Sequence, residues 1–359
     1  MTQVELKDIR VIAPNFKKRL SGVTSTIIQL VPVQNRLGQK VATLGPGLPD
    51  NLPHIRFRDL WRLWQQAPGG GPRVWHARRN LEMLPGIFMR DVLRMKVKLV
   101  FTSAAQRKHS AYTRKLIAQM DEVVATSAKS GSFLERPHTV IMHGVDTELF
   151  HPPKSKDDTI EATGLPGKYL VGCFGRVRHQ KGTDLFVQAM IALLPSYPDW
   201  TAVISGRVTP EHKSFADKLK ADIDAAGLSK RIVFLGEVDD IKPWYRRLTL
   251  YVAPSRNEGF GLTPLEAMSS QTAVVTSDAG AYAEMVLAGE TGTVVAAGDG
   301  DALRNAIKNR LENPAETLEW GETGRSHMLN TFELQGEARA LQKIYERVAQ
   351  QGGHPNGRR

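Results

Sequence analysis

Short apolar runs recur along the chain, each followed by a polar stretch with helical spacing. In the first half they fall at 9–14 (IRVIAP), 41–44, 74–76, 100–102, 122–127 and 139–142. In the second half they fall at 169–174, 202–205, 232–235, 250–253, 273–276 and 293–295. Runs of this length are too short for helices and suit strands buried on both faces. The segments between them, among them 24–37, the stretch ending at Gly227, 264–268 and 282–287, carry helix periodicity, and the chain from about Ala302 reads as helical. Strands alternating with helices predict an α/β fold with parallel sheets covered on both faces. Residues 151–158 (HPPKSKDD) are polar and proline-rich and read as a linker. The expected division is therefore 1–150, 151–332, and a C-terminal helix with a disordered tail over 333–359. A chain of 359 residues is long enough for two domains.

The most informative stretch is 251–268, YVAPSRNEGFGLTPLEAM. A strand breaks at Pro254, a loop carries Gly259 and Gly261 around Phe260, and Pro264 opens a helix with Thr263 as its expected N-cap. A helix start after a glycine loop offers amide donors and partial positive charge to an anion. Glu258 and Glu266 bracket it. A carboxylate does not bind phosphate but accepts hydrogen bonds from hydroxyls. Amides for a phosphate, with carboxylates on either side, suit a molecule that is part phosphate and part polyol. The alternative is a helix-capping loop with two solvated glutamates.

Seven residues separate Glu258 from Glu266. The segment resembles the E-x7-E motif of the retaining GT-B-fold glycosyltransferases of family 4, also called glycosyl transferases group 1. The resemblance implies two Rossmann-like domains whose parallel sheets face a central cleft. It also implies that Glu258 faces a donor sugar, that the amides of Gly259, Phe260, Gly261 and Leu262 meet the diphosphate, and that Glu266 meets the ribose hydroxyls. A second match follows the strand at 169–174: Gly175-Arg176-Val177-Arg178-His179-Gln180-Lys181-Gly182 resembles the family's Gly-Arg-x4-Lys-Gly loop, which makes Arg176 and Lys181 a cationic clamp on the donor diphosphate. Residues 278–284 (DAGAYAE) resemble a family segment as well.

Matches in the first half are weaker. Ser21-Gly22-Val23 follows a basic loop and resembles an element that closes over donor phosphates, with Gly22 as the donor-binding residue; a plain βα turn is the other reading. His76 ends a strand and matches the first histidine of the family's His-x-His, but Arg78 replaces the second. His76 is thus either a cleft histidine with a catalytic part or a satisfied structural one. His143-Gly144-Val145-Asp146 resembles the family's Asn-Gly-Val-Asp, with His143 in place of Asn.

Charge changes the picture of the first half only. Residues 1–150 hold 23 Lys and Arg against 11 Asp and Glu, whereas the remainder holds 25 against 26. The excess predicts an anionic partner for that half, unless it is a solubilising surface. Arg90, Arg94, Lys96, Lys98, Arg107, Lys108, Arg114 and Lys115 form its densest part, expected on exposed helices. Trp61 and Trp64, among arginines, suit either a membrane interface or half-buried packing. One cysteine, Cys173, in an apolar run, predicts a buried thiol and a reducing compartment. With no apolar segment of about 20 residues and no signal-peptide layout, the chain is expected in the cytoplasm, peripheral on the inner face of the cytoplasmic membrane.

Within family 4, WHARRN, PNFKKRLSGVTSTI and the basic first half are similar to the lipopolysaccharide core mannosyltransferases of alphaproteobacteria. That resemblance implies an enzyme of class EC 2.4 moving mannose from GDP-mannose to a lipid-linked or lipopolysaccharide-core acceptor with retention, without cofactor or metal. A UDP-sugar donor with another glycolipid or polysaccharide acceptor is the alternative within the family. A UDP-sugar epimerase of the same fold would not need the basic half. A nucleic-acid-binding protein would explain the charge but not two phosphate loops, so nucleic acid is not an expected partner. A nicotinamide enzyme is disfavoured because neither loop reads G-x-G-x-x-G.

Overall fold

The computed structural model describes residues 2–18 and 22–351. Ser21 and the tail at 352–359, for which disorder was expected, lie outside them. The chain divides into two compact units, Met1–Gly144 with Leu334–Arg359, and Val145–Glu333. The first break thus falls at 144 where the sequence suggested 150. The segment read as a linker folds onto the second unit. Asp158 is buried there and accepts from Arg246 Nε at 2.6 Å and from the Lys154 amide at 3.0 Å.

The first unit holds β1 (Thr2–Gln3), β2 (Val11–Pro14), β3 (Val41–Leu44), β4 (Pro53–His54), β5 (Arg73–Ala77), β6 (Val97–Ser103), β7 (Glu122–Ala125) and β8 (Thr139–Val140), all parallel, in the order β1-β4-β3-β2-β5-β6-β7-β8. Its helices are α1 (Gly22–Arg36), α2 (Asn80–Ile87), α3 (Ala111–Ile117) and α4 (Ala128–Gly131). A 3-10 helix at Phe57–Trp64 and a π turn at Phe88–Val92, running on from α2, also belong to it. Successive strand residues point to opposite faces. Ile12, Trp75, Leu99 and Val123 face one layer with Leu63, Met83 and Leu116. Val11, Val74, Val100 and Val124 face the other with Ile27, Leu30, Leu341 and Tyr345.

The second unit holds β9 (Tyr169–Phe174), β10 (Trp200–Ser205), β11 (Ile232–Gly236), β12 (Leu250–Ala253), β13 (Ala273–Ser277) and β14 (Gly292–Val295), in the order β11-β10-β9-β12-β13-β14. The helices α5 (Thr183–Leu193), α6 (Lys213–Ala225), α7 (Lys242–Arg247), α8 (Thr263–Ser269), α9 (Tyr282–Met285), α10 (Gly300–Glu312) and α11 (Pro314–Thr331) surround it. This is the doubly wound order of dinucleotide-binding folds. Cys173 is buried, and burial pushes its thiol up to about 12, so it stays protonated. The last helix, α12 (Leu334–Gln350), belongs to the first unit and lies against α1; its residues 334, 338, 341, 345 and 348 form one buried stripe.

The basic region expected on exposed helices is not one surface. Lys98 sits in β6 and Arg90 in the π turn, and both are buried. Arg90 Nη1 and Lys98 Nζ reach Asp121 at 3.0 and 3.3 Å, and Arg90 Nε reaches Asp91 at 2.7 Å. An unpaired charge at these depths would be costly, so burial pairs the two cations with carboxylates. Arg94 and Lys96 remain exposed.

Arg73 is 1% exposed, and its guanidinium is satisfied by carbonyls alone: Ile9 at 3.0 Å, Gln65 at 2.7 Å and Leu6 at 3.1 Å. These bonds tie the 3-10 segment and the chain start to β5. Arg73→Met should strand three acceptors and cost the first unit about 3 kcal/mol or more. In urea the transition of the first unit should move to lower concentration while that of the second stays in place. Arg73→Lys should not rescue it, because an ammonium lacks the planar fork.

Candidate functional site

In the second unit the strand order reverses between β9 and β12, and the loops at their carboxyl ends flank the position where open α/β sheets take ligands. After β9 the chain turns at Gly175 (φ +136°), passes Arg176, makes a 3-10 turn at His179–Lys181 and enters α5 through Gly182 (φ +70°). After β12 it runs through Pro254 and Glu258 to α8. The two loops are interlocked. A Cβ on Gly182 would collide with the Pro254 carbonyl, and the Arg256 amide donates to the Gln180 carbonyl at 2.9 Å. The Arg256 guanidinium donates to the His179 carbonyl at 2.7 Å and to both oxygens of Asp184 at 2.7 and 2.8 Å. A Cβ on Gly206, at the end of β10, would strike the Gly175 carbonyl, so a second glycine holds the first turn in place.

This interlock brings the two expected motifs together. Arg176 and Lys181 line one narrow slot with Thr263 and Tyr282. Lys181 Nζ donates to Glu258 Oε2, the Tyr282 hydroxyl lies 3.4 Å from the same oxygen, and the Gly259 amide donates to Oε1 at 3.1 Å. Glu258 needs room for this posture. Gly261 (φ +89°) would press a Cβ into the Tyr282 ring and to 2.9 Å from Glu258 Cγ, and Gly280 (φ +61°) would place one 3.0 Å from Glu258 Cβ. Phe260 is buried and accepts from the Ala281 amide at 3.2 Å through its carbonyl, which joins the loop to the segment before α9.

Thr263, expected as the N-cap, is instead the first residue of α8. Leu262 in the cap position makes no side-chain cap hydrogen bond. Glu266 accepts from the Tyr245 hydroxyl at 2.9 Å through Oε2, while Oε1 has no hydrogen-bond partner among the described residues. Burial pushes the Glu266 carboxyl above its ordinary value, against the pull of Tyr245 and Lys181. Burial likewise holds the Tyr245, Tyr251 and Tyr282 hydroxyls well above the usual phenol value, so they remain protonated.

The first unit does not supply the histidine expected of it. His76 is 1% exposed, with Nδ1 bonded to the Tyr345 hydroxyl and Nε2 to that of Thr102, both at 2.7 Å. Burial, with the Arg78 charge nearby, holds the ring far below its ordinary pKa. It is a neutral core histidine with no nitrogen left for a substrate, so the catalytic part expected of His76 is withdrawn. Gly22 opens α1 with open space where a Cβ would stand. His143 Nδ1 meets Glu337 Oε1 at 2.8 Å, and the Gly144 amide donates to Oε2 at 2.8 Å, which fastens that turn to α12. The site also contains residues the sequence did not single out: Arg256 with Asp184, Tyr245, Tyr282, Gly206 and Gly280. Tyr282 stood inside the DAGAYAE segment with no role attached to it.

The Glu266 carboxyl yields a pH prediction. Its folded value lies above its unfolded one, so the stability it contributes is present at low pH and lost as pH rises through the folded value. Glu266→Gln is fixed in the neutral form. Its advantage over the wild type in urea unfolding should therefore grow as the pH is raised above the ordinary carboxylate value; a constant difference would refute the assignment.

The match to known proteins spans the chain. Residues 155–327 match the family model described as glycosyl transferases group 1. The lipopolysaccharide core biosynthesis mannosyltransferase LpcC of Rhizobium leguminosarum bv. viciae is 65% identical over 95% of this chain and 97% of its own length. The enzyme of the same description, LpsB, of Rhizobium meliloti (strain 1021) is 54% identical over 96% and 99%. Among solved structures, the C-terminal domain of a group 1 glycosyl transferase (LpcC) from Francisella tularensis aligns with a TM-score of 0.51 at 36% identity, covering 53% of this chain and 99% of that one. HepE from Anabaena, solved with UDP, aligns with a TM-score of 0.80 at 19% identity over 94% and 100%, a likeness of fold. Two parallel-sheet α/β units of this kind are the GT-B architecture, and the chain belongs to the group 1 glycosyltransferases.

Proposed function

We propose that the second unit binds GDP-mannose and that the enzyme transfers its mannose, with retention of anomeric configuration, to a lipopolysaccharide-core saccharide on a lipid anchor. The contact that carries this reading is the ion pair between Lys181 of the Gly-Arg-x4-Lys-Gly loop and Glu258 of the E-x7-E loop, beside Arg176. A cation already neutralised by a carboxylate exchanges partners when a diphosphate arrives. Lys181 and Arg176 then meet the phosphates, and Glu258, released, accepts from hydroxyls of the sugar. Glu266 keeps one oxygen on Tyr245 and has the other to accept from the ribose.

As the glycosidic bond breaks, negative charge builds on the leaving diphosphate. Preorganised positive groups there supply the largest part of such catalysis. Arg176 offers a planar fork and Lys181 a compact charge. The acceptor hydroxyl attacks from the face that the diphosphate leaves, and the departing phosphate oxygen takes its proton, so no carboxylate nucleophile and no metal are required. Both Rhizobium relatives are described as lipopolysaccharide core mannosyltransferases, which supports the sugar and the acceptor. No helix of the described residues is long and apolar enough to cross a membrane. In this reading the enzyme works at the inner face of the cytoplasmic membrane, drawn to anionic lipid by the basic first half.

Thermal shift and transfer with a panel of nucleotide sugars test this reading. GDP-mannose should raise Tm and support transfer, undiminished by a chelator; a response to UDP-glucose instead would replace the donor. Lys181→Ala and Glu258→Ala should each lower kcat by about 100-fold or more with the unfolding curve of the second unit retained. Full activity in either would overturn the site.

A further inference from the structure

Seven of the 13 exposed large hydrophobic side chains among the described residues lie on three neighbouring elements of the first unit. Phe57, Trp61 and Trp64 stand on the 3-10 helix. Leu81, Leu84, Phe88 and Val92 follow one another at helical spacing along α2 and the π turn. Each is between 48% and 62% exposed. The elements are joined: the Trp64 indole donates to the Leu93 carbonyl at 2.7 Å, and an apolar groove of about 350 Å³, lined by Phe57, Leu60, Pro85 and Met89, lies between them. A clustered apolar face of this kind marks an interaction surface, whereas scattered exposed residues would not.

A second cavity, of about 340 Å³, adjoins this face. Gln66, two residues past Trp64, and Arg94, two residues past Val92, both line it, together with Lys96. Its deeper cations, Arg90 and Lys98, are matched by Asp91 and Asp121. Arg94 and Lys96 are exposed and have no carboxylate in reach among the described residues. Arg58 and Lys17 add charge at the other side, Lys17 directly after Phe16, whose ring lies 5.8 Å from Phe57. The face is thus apolar in the middle and basic at its rim.

Charge decides the occupant. A second copy would bring like-charged rims together, whereas an anionic bilayer takes aromatic and aliphatic side chains at its interface and pairs its headgroups with the rim. We propose that Trp61, Trp64, Phe88 and Val92 insert into the interface of an anionic membrane, with lipid phosphates at Arg94 and Lys96. This names the surface behind the membrane contact in the proposed function and rests on that reading only for the location of the acceptor.

Flotation of the full chain with vesicles of phosphatidylcholine, with and without phosphatidylglycerol, tests it. The wild type should float with the anionic vesicles alone, and brominated lipid should quench its tryptophan fluorescence. The double variant Phe88→Ser/Val92→Ser should lower vesicle affinity at least tenfold. Arg94→Gln/Lys96→Gln should lower it about fivefold per charge removed. Free glycerol phosphate should not compete. Both variants should keep the wild-type melting curve and wild-type transfer to a short acceptor freed of lipid; loss of that transfer in the variants alone would overturn the surface, whereas its absence in the wild type would count against the proposed function and not against the surface. Wild-type affinity in both variants, competition by free glycerol phosphate, or a dimer that Phe88→Ser/Val92→Ser dissolves would overturn the proposal.

Discussion

The candidate site depends on one close approach of backbone to backbone. The Gly182 α-carbon lies so near the Pro254 carbonyl that no side chain fits between them. That approach sets the loop after β9 against the loop after β12, and the polar contacts between the two loops follow from it. Arg256 reaches Asp184 and the His179 carbonyl across the seam, and Lys181 reaches Glu258. Parallel strands with reversed order bring the two loops to the same edge. The glycines at 175, 182, 206, 261 and 280, all with positive φ, let them meet there.

The consequence for chemistry is a site organised by opposite charges. Lys181 is held by Glu258, and Glu258 is also held by a phenol and an amide. In the proposed reading, donor binding is an exchange of partners among groups already in position, with little side-chain ordering left to do. Glu266, next to a buried tyrosine, is raised above its ordinary pKa by burial.

Much of this was legible in the sequence, and for a physical reason. Strands buried on both faces are continuous apolar runs, so 169–174, 250–253 and 41–44 coincide with β9, β12 and β3. The motif residues Glu258, Glu266, Arg176 and Lys181 are local in sequence, and the fold brings their loops together without rearranging them. What failed was partnership across distance. His76 lies near the end of a strand as expected, but when both faces of a sheet are covered, sequence does not tell which residue near that end looks outward; Tyr345, 269 residues away, claims the ring. Arg90 and Lys98 looked like surface charge because Asp121, their shared partner, lies on a later element. The two-residue strands β1 and β4 gain their place from neighbours and carry too little pattern to announce themselves.

The route of the chain has a further effect. The second unit is one continuous stretch, Val145–Glu333, whereas the first is closed by a helix that begins only at Leu334. Until that helix is made, Ile27, Leu30, Val74 and Val100 lack the apolar cover that Leu341, Ile344 and Tyr345 provide. On the ribosome the later half therefore has everything it needs to fold before the earlier half does. The nascent amino-terminal sheet waits, one layer bare to water, until α12 has been made, and that interval is when a chaperone has most reason to hold it.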